Sequence, residues 1–328
     1  MIIVTGGAGF IGSNLVALLE RSGVKDIVVC DRLGHDDKWK NLAKRELADF
    51  VQPEDLFDFL GRHTQDVEMI FHLGAISATT ERDADLIVET NFGLSMALWD
   101  WCALHGARFV YASSAATYGD GAEGFTDDAT SEALAKLRPL NPYGWSKHLF
   151  DRRVARLVAE ERPAPPQWAG LKFFNVFGPN EYHKGNMLSV VYRIWESIRK
   201  GEAARLFKSY RDDYEDGGQS RDFVWVGTCA SVMKFLYEAT HVSGLFNVGA
   251  GEARSFKDLA LATFAAAGVE PRIDYIDMPE EMRPRYQYYT QANMIKLRDA
   301  GFVAPPLSLE EAVTRYVVDF LSTEDQYR

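Results

Sequence analysis

The 328-residue chain is 47% hydrophobic and 25% charged, enough apolar content for one large domain or two intimate ones around a sizeable core. Its 36 Lys and Arg face 47 Asp and Glu, and a net charge of −11 argues against nucleic acid or an anionic membrane as the main partner. Cys30, Cys102 and Cys229 form no CxxC pair and the 7 His no ligand cluster, so neither disulfides nor a catalytic metal are expected. With no basic leader and no apolar run of membrane-span length, a cytoplasmic protein is expected.

Met1 to Thr5 reads as a strand, followed by a helical pattern from Phe10 to Ser22 that Gly23 is suited to stop. Next come a strand from Ile27 to Asp31, one from Glu68 to Leu73, a helix near Ile87 to His105 and a strand from Arg108 to Ser113. A long helix follows Tyr143 and ends before Pro163, Pro165 and Pro166, and another strand runs from Leu171 to Phe174. This alternation predicts an α/β fold with a doubly wound parallel sheet. Beyond Gly178-Pro179 the pattern loosens, which predicts a smaller C-terminal α/β substrate-binding domain. The expected division is 1–174 for the larger domain and 175–328 mainly for the smaller. Returns to the main sheet are expected near 223–248 and 286–302, with Phe223 to Val226 and Leu245 to Val248 as the returning strands.

Between the first strand and first helix lies Val4-Thr-Gly-Gly-Ala-Gly-Phe-Ile-Gly-Ser13, a GxxGxxG pattern at Gly6, Gly9 and Gly12. Glycines there permit a tight turn and a close backbone approach to a pyrophosphate, whose charge the helix N-terminus stabilises. The second strand ends at Asp31, about twenty residues on, where an acidic residue meets the adenosine ribose in Rossmann-type folds. Asp31 alone favours NAD, whereas Arg32 and Lys38 favour the 2′-phosphate of NADP. NADP is the expected cofactor, with NAD as the alternative.

Tyr143-Gly-Trp-Ser-Lys147 puts a phenol and an ammonium one helical turn apart on one face. A phenol, with a pKa of about 10, needs nearby positive charge to work as a base near neutrality, and Lys147 and an oxidised nicotinamide are the expected sources. Upstream, Tyr111-Ala-Ser-Ser-Ala-Ala-Thr-Tyr-Gly119 ends a strand where such sheets bind ligands, with Ser114 placed to hydrogen-bond a reacting oxygen.

Glycine loop, strand-end serines and YxxxK, in this order, resemble the extended short-chain dehydrogenase/reductases, the NAD-dependent epimerases and dehydratases, over nearly the whole chain. Phe173-Phe-Asn-Val-Phe-Gly-Pro179, His183-Lys-Gly-Asn-Met187 and Arg285-Tyr-Gln-Tyr-Tyr-Thr-Gln-Ala292 narrow the resemblance to the branch acting on ADP-linked heptoses. That resemblance implies NADP-dependent inversion at C6″ of the heptose through a transient ketone, supplying the lipopolysaccharide core, by a homo-oligomer, for which the family suggests a pentamer. It makes Lys184 a second base beside Tyr143, with Lys147 and Ser114 assisting, although Lys184 by itself reads as an ordinary loop cation. For the cofactor it implies Gly6, Gly9, Phe10, Ile11, Gly12, Asp31, Arg32, Lys38, Leu73, Gly74, Ala75, Ile76, Ser77, Asn91, Lys147, Val176 and Lys184. For the substrate it implies Asn175, Asn186, Arg193, Phe207, Lys208, Ser209, Tyr210, Arg221 and Tyr286.

The chain departs from the family pattern in three ways. Pro53 stands where a cofactor-contacting lysine can occur, and Leu73-Gly-Ala-Ile-Ser77 replaces a more polar Glu-Gly-Ala-Cys-Ser. The loops 208–220 and 119–143 are longer than usual. Two other readings stay open. One is a UDP- or dTDP-sugar 4-epimerase or dehydratase of the same fold, although a dehydratase calls for a carboxylate where Ala115 and Ala116 follow Ser114. The other is a dinucleotide-sensing protein without chemistry, against which the presence of both Tyr143 and Lys147 counts.

Overall fold

Four consecutive buried residues form β1 (Ile2–Thr5) in the structure, a computed structural model that describes residues 1–283, 286–303 and 307–328. Ile2 and Val4 pack into one apolar cluster and Ile3 into another, so the strand is covered on both faces. The chain continues through α1 (Phe10–Arg21), β2 (Ile27–Cys30), β3 (Asp49–Val51), α2 (Leu56–Arg62), β4 (Met69–His72), α3 (Ala84–Ile87) and α4 (Leu94–His105). Next are β5 (Arg108–Ser114), α5 (Ser131–Lys136), α6 (Pro142–Ala159), β6 (Trp168–Phe173), β7 (Asn175–Phe177), α7 (Val190–Arg199), β8 (Ala204–Phe207) and β9 (Ser220–Trp225). The last elements are α8 (Val226–Glu238), β10 (Gly244–Val248), β11 (Ala253–Ser255), α9 (Phe256–Ala267), β12 (Ile273–Ile276), α10 (Ile295–Asp299) and α11 (Leu309–Tyr316).

Seven strands form one parallel sheet in the order β10-β6-β5-β4-β1-β2-β3. The order reverses direction at β1, which lies between β2 and β4 and so marks the crevice where such sheets take their ligands. On one face Leu15, Val16 and Leu19 of α1 pack with Val232, Met233 and Leu236 of α8. On the other, Phe59 of α2, Leu98, Trp99 and Cys102 of α4 and Phe150 and Val154 of α6 cover Ile3, Val28, Ile70 and Phe109. A separate core of Phe177, Val191, Phe223, Leu259, Val313 and Tyr316 belongs to the smaller C-terminal layer.

Of the two strands expected to return to the large sheet, β10 does so, pairing with β6 from Gly244↔Ala169 to Val248↔Phe173. The other expectation is corrected. Residues 220–225 lie in a three-stranded sheet, parallel to β7 and antiparallel to β11, and Val226 already begins α8. Buried Asp222 explains the difference: its carboxylate accepts the N–H groups of Ala250 (2.6 Å), Gly251 (2.9 Å) and Ala292 (3.0 Å), which holds β9 to those segments. The helix expected near Ile87 to His105 is also not uniform. It starts at Ala84, capped by Asp83, and widens to π geometry over Val88–Gly93 before α4.

His72, at the end of β4, is 1% exposed. Its Nδ1 lies 2.7 Å from Thr5 Oγ1 and its Nε2 2.9 Å from Ser95 Oγ, and the Ser95 hydroxyl donates to the Asn91 carbonyl at 2.6 Å. Thr5 therefore donates to Nδ1, and the ring is the neutral Nε2–H tautomer. Burial, reinforced by the Lys147 charge, pushes this imidazole from 6.5 down to about 3. His148 and His183 are each pushed down to about 4, again chiefly by burial.

Because the folded values lie below the unfolded one, the unfolded chain takes up these protons first. Stability is complete above about pH 6.5 and is lost as the pH falls, by about 1.4 kcal/mol per pH unit for His72. The melting temperature is expected to drop between about pH 7 and about pH 4. A His72→Asn variant should show a shallower slope; an unchanged slope would remove His72 as a source of the acid lability.

Candidate active site

The turn between β1 and α1 depends on two positions with no room for a side chain. Gly6 has φ +67, and a Cβ there would lie 2.6 Å from the Gly74 nitrogen; a Cβ on Gly12 would lie 2.2 Å from the Gly6 carbonyl oxygen. Gly9 caps α1 without any side-chain hydrogen bond, so the first N–H groups of a 12-residue helix remain open to an anion. Buried Asn14 secures the turn from below, donating to the carbonyls of Phe10 and Pro179, both at 2.9 Å.

Asp31, just past β2, faces this turn. Its carboxylate accepts the Ala8 N–H at 2.9 Å, its neighbour's N–H at 2.7 Å and the Lys38 ammonium at 2.7 Å. Lys38 therefore balances the charge of Asp31 before any ligand arrives. Arg32 points outward, its guanidinium paired with Glu54 on the exposed surface. Beyond β4, Asn91 in the π segment accepts the Ile76 N–H at 2.8 Å and donates to the Ile76 carbonyl at 3.0 Å and Ser146 Oγ at 3.1 Å. Its side chain thus fastens the 73–77 segment to α6.

The N-terminus of α6 is built from Asn141, whose carboxamide accepts the Gly144 N–H at 2.8 Å, and from Pro142 at the first helical position. A Cβ on Gly144 would lie 2.8 Å from the Ala116 carbonyl oxygen, so glycine lets the helix close on the turn after Ser114. Tyr143 and Lys147 then face the same cavity as Ser114. Burial pushes the Tyr143 phenol up, the Ser114 hydroxyl bonded to it opposes that, and the Asp151 charge adds to it. Lys147 is pushed down to about 8 by burial, with Asp151 opposing. With only protein groups present, loss of water thus dominates the phenol, and the stabilisation of phenolate expected from Lys147 together with an oxidised nicotinamide concerns the cofactor-bound site.

Lys184 reaches the cavity from the 3-10 turn Tyr182–Met187. Its ammonium lies 4.9 Å from the centre of the Phe10 ring. Burial lowers its pKa and nearby Glu181 opposes the shift. Glu181 is itself fixed by Ser189, N–H at 2.7 Å and hydroxyl at 2.6 Å, and by the Tyr316 hydroxyl at 2.9 Å.

Arg221 is 8% exposed, sits 5.6 Å from the Phe256 ring centre and 5.3 Å from that of Tyr286, and has no carboxylate partner among the described residues. A buried, unpaired guanidinium facing a cavity is suited to a phosphate group.

One cavity of about 1020 Å³ gathers Gly6, Gly9, Phe10, Ile11, Gly12, Asp31, Lys38, Leu73, Gly74, Ala75, Ser77, Ser114, Tyr143, Lys147, Asn175, Val176, Lys184, Arg221 and Tyr286. Its volume, the Cβ-free cradle and Asp31 beside it fit a dinucleotide. Other expected residues lie off its lining. Ile76 and Asn91 brace the wall, and Arg32 stands outside with Glu54. Arg193 donates to the Asn186 carbonyl, and neither lines the cavity. The 207–210 segment turns toward other partners: Phe207 packs edge-on to Tyr286, Lys208 and Tyr210 bond Asp277, and Ser209 bonds Asp216 and Arg211. Arg285 lies outside the described residues.

Sequence reading missed Thr79, Asn141, Met187, Glu281, Gln287 and Thr290, all on the lining. The Asn-Pro pair before Tyr143 is a helix-start signal that could have found Asn141. The others sit on loops without periodicity. Among the described residues, no cluster of His, Cys, Asp and Glu could hold a metal ion, and no helix is long and apolar enough to cross a membrane.

Residues 2–249 match the NAD dependent epimerase/dehydratase family. The chain is 45% identical to an ADP-L-glycero-D-manno-heptose-6-epimerase of Fusobacterium nucleatum and 49% identical to one of Nitratidesulfovibrio vulgaris, each alignment covering 100% of both chains. Among solved structures it is similar to the Helicobacter pylori ADP-L-glycero-D-manno-heptose-6-epimerase, at a TM-score of 0.78 and 27% identity over 98% of this chain and 96% of that one. It is about as similar to the Thermus thermophilus UDP-glucose 4-epimerase complex with NAD, at a TM-score of 0.76 and 26% identity over 96% and 97%.

Gly12→Ala tests the cradle. Its Cβ would meet backbone that cannot give way, so dinucleotide affinity is expected to fall by about 10²-fold or more, roughly 2.7 kcal/mol. Titration of the folded variant with NADP or NAD measures it, and wild-type affinity would show that the turn tolerates a side chain.

Proposed function

Because the chain belongs to the NAD dependent epimerase/dehydratase family, we propose that it interconverts ADP-D-glycero-D-manno-heptose and ADP-L-glycero-D-manno-heptose at C6″, with NADP as resident cofactor. The observation that carries this reading is Lys184 on the same cavity as Ser114, Tyr143 and Lys147, arriving from a separate turn of the chain. Two proton-handling side chains on different elements suit a reaction in which the same carbon must be deprotonated at oxygen in one orientation and reprotonated in the other. Full-length identity to enzymes of that name supports the sugar.

The nicotinamide, when bound, supplies reversible acceptance and return of hydride. Gly6, Gly9 and Gly12 and the start of α1 hold the pyrophosphate, and Asp31 meets the ribose. Ser114 donates to the reacting oxygen while Tyr143 takes its proton. Lys147 holds the nicotinamide ribose next to Tyr143. After the intermediate ketone has presented its other face, Lys184 handles the proton, and the roles exchange in the reverse direction. Arg221 takes the diphosphate of the substrate in its aromatic slot. Burial raises the Tyr143 phenol, and a bound oxidised nicotinamide would supply positive charge that favours its phenolate.

The cations at the adenosine end support NADP. Lys38 already offsets the carboxylate that would repel a 2′-phosphate, and exposed Arg32 can exchange Glu54 for that phosphate. Pro53 leaves these two as the contacts.

Incubation with either epimer of the ADP-heptose, followed by separation of the pair, is the direct test. Tyr143→Phe and Lys184→Met are each expected to lower turnover by about 10² to 10⁴-fold. Unchanged turnover in one of them removes that residue from the chemistry, and interconversion of a UDP-hexose in place of the heptose overturns the substrate. For the cofactor, Arg32→Ala is expected to weaken NADP by about tenfold while leaving NAD unchanged, read by equilibrium titration. Tighter binding of NAD than of NADP by the unmodified chain would count against the NADP half of the proposal.

A further inference from the structure

We propose that the buried Asp151–Lys172 ion pair is a clamp that positions the reacting groups, locking the strand end that carries Ser114 to the helix that carries Tyr143 and Lys147. The inference rests on the roles given above to Ser114 and Tyr143.

Both side chains are fully buried, and neither lines the cavity. Asp151 lies on α6 one turn beyond Lys147 and two turns beyond Tyr143. Its carboxylate accepts three donors: the Lys172 ammonium at 2.7 Å, the Ser113 hydroxyl at 2.7 Å and the Tyr111 hydroxyl at 3.1 Å. Two of those donors are on β5, and Ser113 is the residue before Ser114. Lys172, on β6, makes a second connection. Its ammonium also donates to Thr117 Oγ1 at 2.6 Å, and the Thr117 hydroxyl donates to the Ser114 carbonyl at 2.8 Å. Ser114 is therefore tied to the pair from both sides along the chain, through Ser113 and through Thr117. The ammonium is also 4.9 Å from the Tyr118 ring centre, in the same turn.

Stability does not account for such a pair. Removing two charges from water costs more than their attraction commonly returns, and apolar residues of similar size usually hold a core equally well. What apolar contact cannot do is fix direction. Hydrogen bonds from one carboxylate to β5 and β6 set where α6 lies along the strand ends, and an error of about 1 Å between reacting groups costs about 10²-fold in rate.

Single substitutions would strand a buried charge, so the test uses the double variant Asp151→Leu/Lys172→Met and, separately, Thr117→Val, which breaks one connection and leaves the pair intact. With a melting temperature near wild type, the double variant is expected to lose about 10²-fold in kcat, while KM and dinucleotide affinity stay within about threefold. Thr117→Val is expected to lose about tenfold in kcat with the same unchanged binding. Wild-type kcat in either folded variant overturns the clamp, as does a rise in KM that matches the loss of rate. Amide hydrogen exchange gives a readout independent of the reaction. Exchange over 113–119 and 142–147 should quicken in both variants while the β1–α1 turn stays unchanged, and unaltered exchange overturns the clamp. If the unmodified chain leaves both ADP-heptose epimers untouched, the assigned reaction fails, and the exchange result still decides the clamp.

Discussion

Because all seven strands of the large sheet run in one direction, their carboxyl ends share a single rim, and residues far apart in the chain arrive there as neighbours. Thr5, Asp31, His72 and Ser114 each stand at or just past the end of a different strand. The reversal of strand order at β1 opens the rim between two of them, and the glycine turn fills that gap closely enough that only hydrogen fits at Gly6 and Gly12. The smaller layer contributes from the other side, with Arg221 on β9, Lys184 on a 3-10 turn and Tyr286 on a loop. Hydrogen bonds by Asp222 and Glu181 keep those pieces in place.

Burial sets the electrostatics of this rim. The phenol of Tyr143 is held more firmly protonated than in water, and the ammonium groups of Lys147 and Lys184 are held less so. Each shift moves a group away from its charged form: loss of water dominates, and Asp151 near Lys147 and Glu181 near Lys184 offset only part of it. A positive charge brought beside the phenol, or negative charge beside the ammonium groups, would reverse these shifts. A chain with an overall charge of −11 can still present an anion site, because Lys147, Lys184 and Arg221 gather on one cavity and Arg221 has no carboxylate partner among the described residues.

What could be read in the sequence was what local backbone demands. The glycine turn, the acid at the end of β2, the strand-end serine and the helix-borne Tyr143 and Lys147 each depend on a few adjacent residues in a set geometry, and all line one cavity. Long-range pairing was harder. Phe223-Val-Trp-Val226 is an apolar run like those of the main sheet, but three backbone N–H groups from distant segments bind the adjacent Asp222 and draw the strand elsewhere. The 207–210 segment was assigned to the substrate by resemblance, whereas Asp277 and Asp216 engage its polar side chains and backbone. Asn91 and Ile76 were grouped with cofactor contacts and prove to be bonded to each other, a relation that no spacing of 15 residues announces.

The ion pair of Arg32 with Glu54 has an evolutionary consequence. It sits on the exposed surface, off the cavity lining, and exposed pairs of this kind contribute little to holding a fold together. Mutations can therefore alter it without disturbing the core, Tyr143 or Lys184. The pair is thus a position free to vary without cost to the fold.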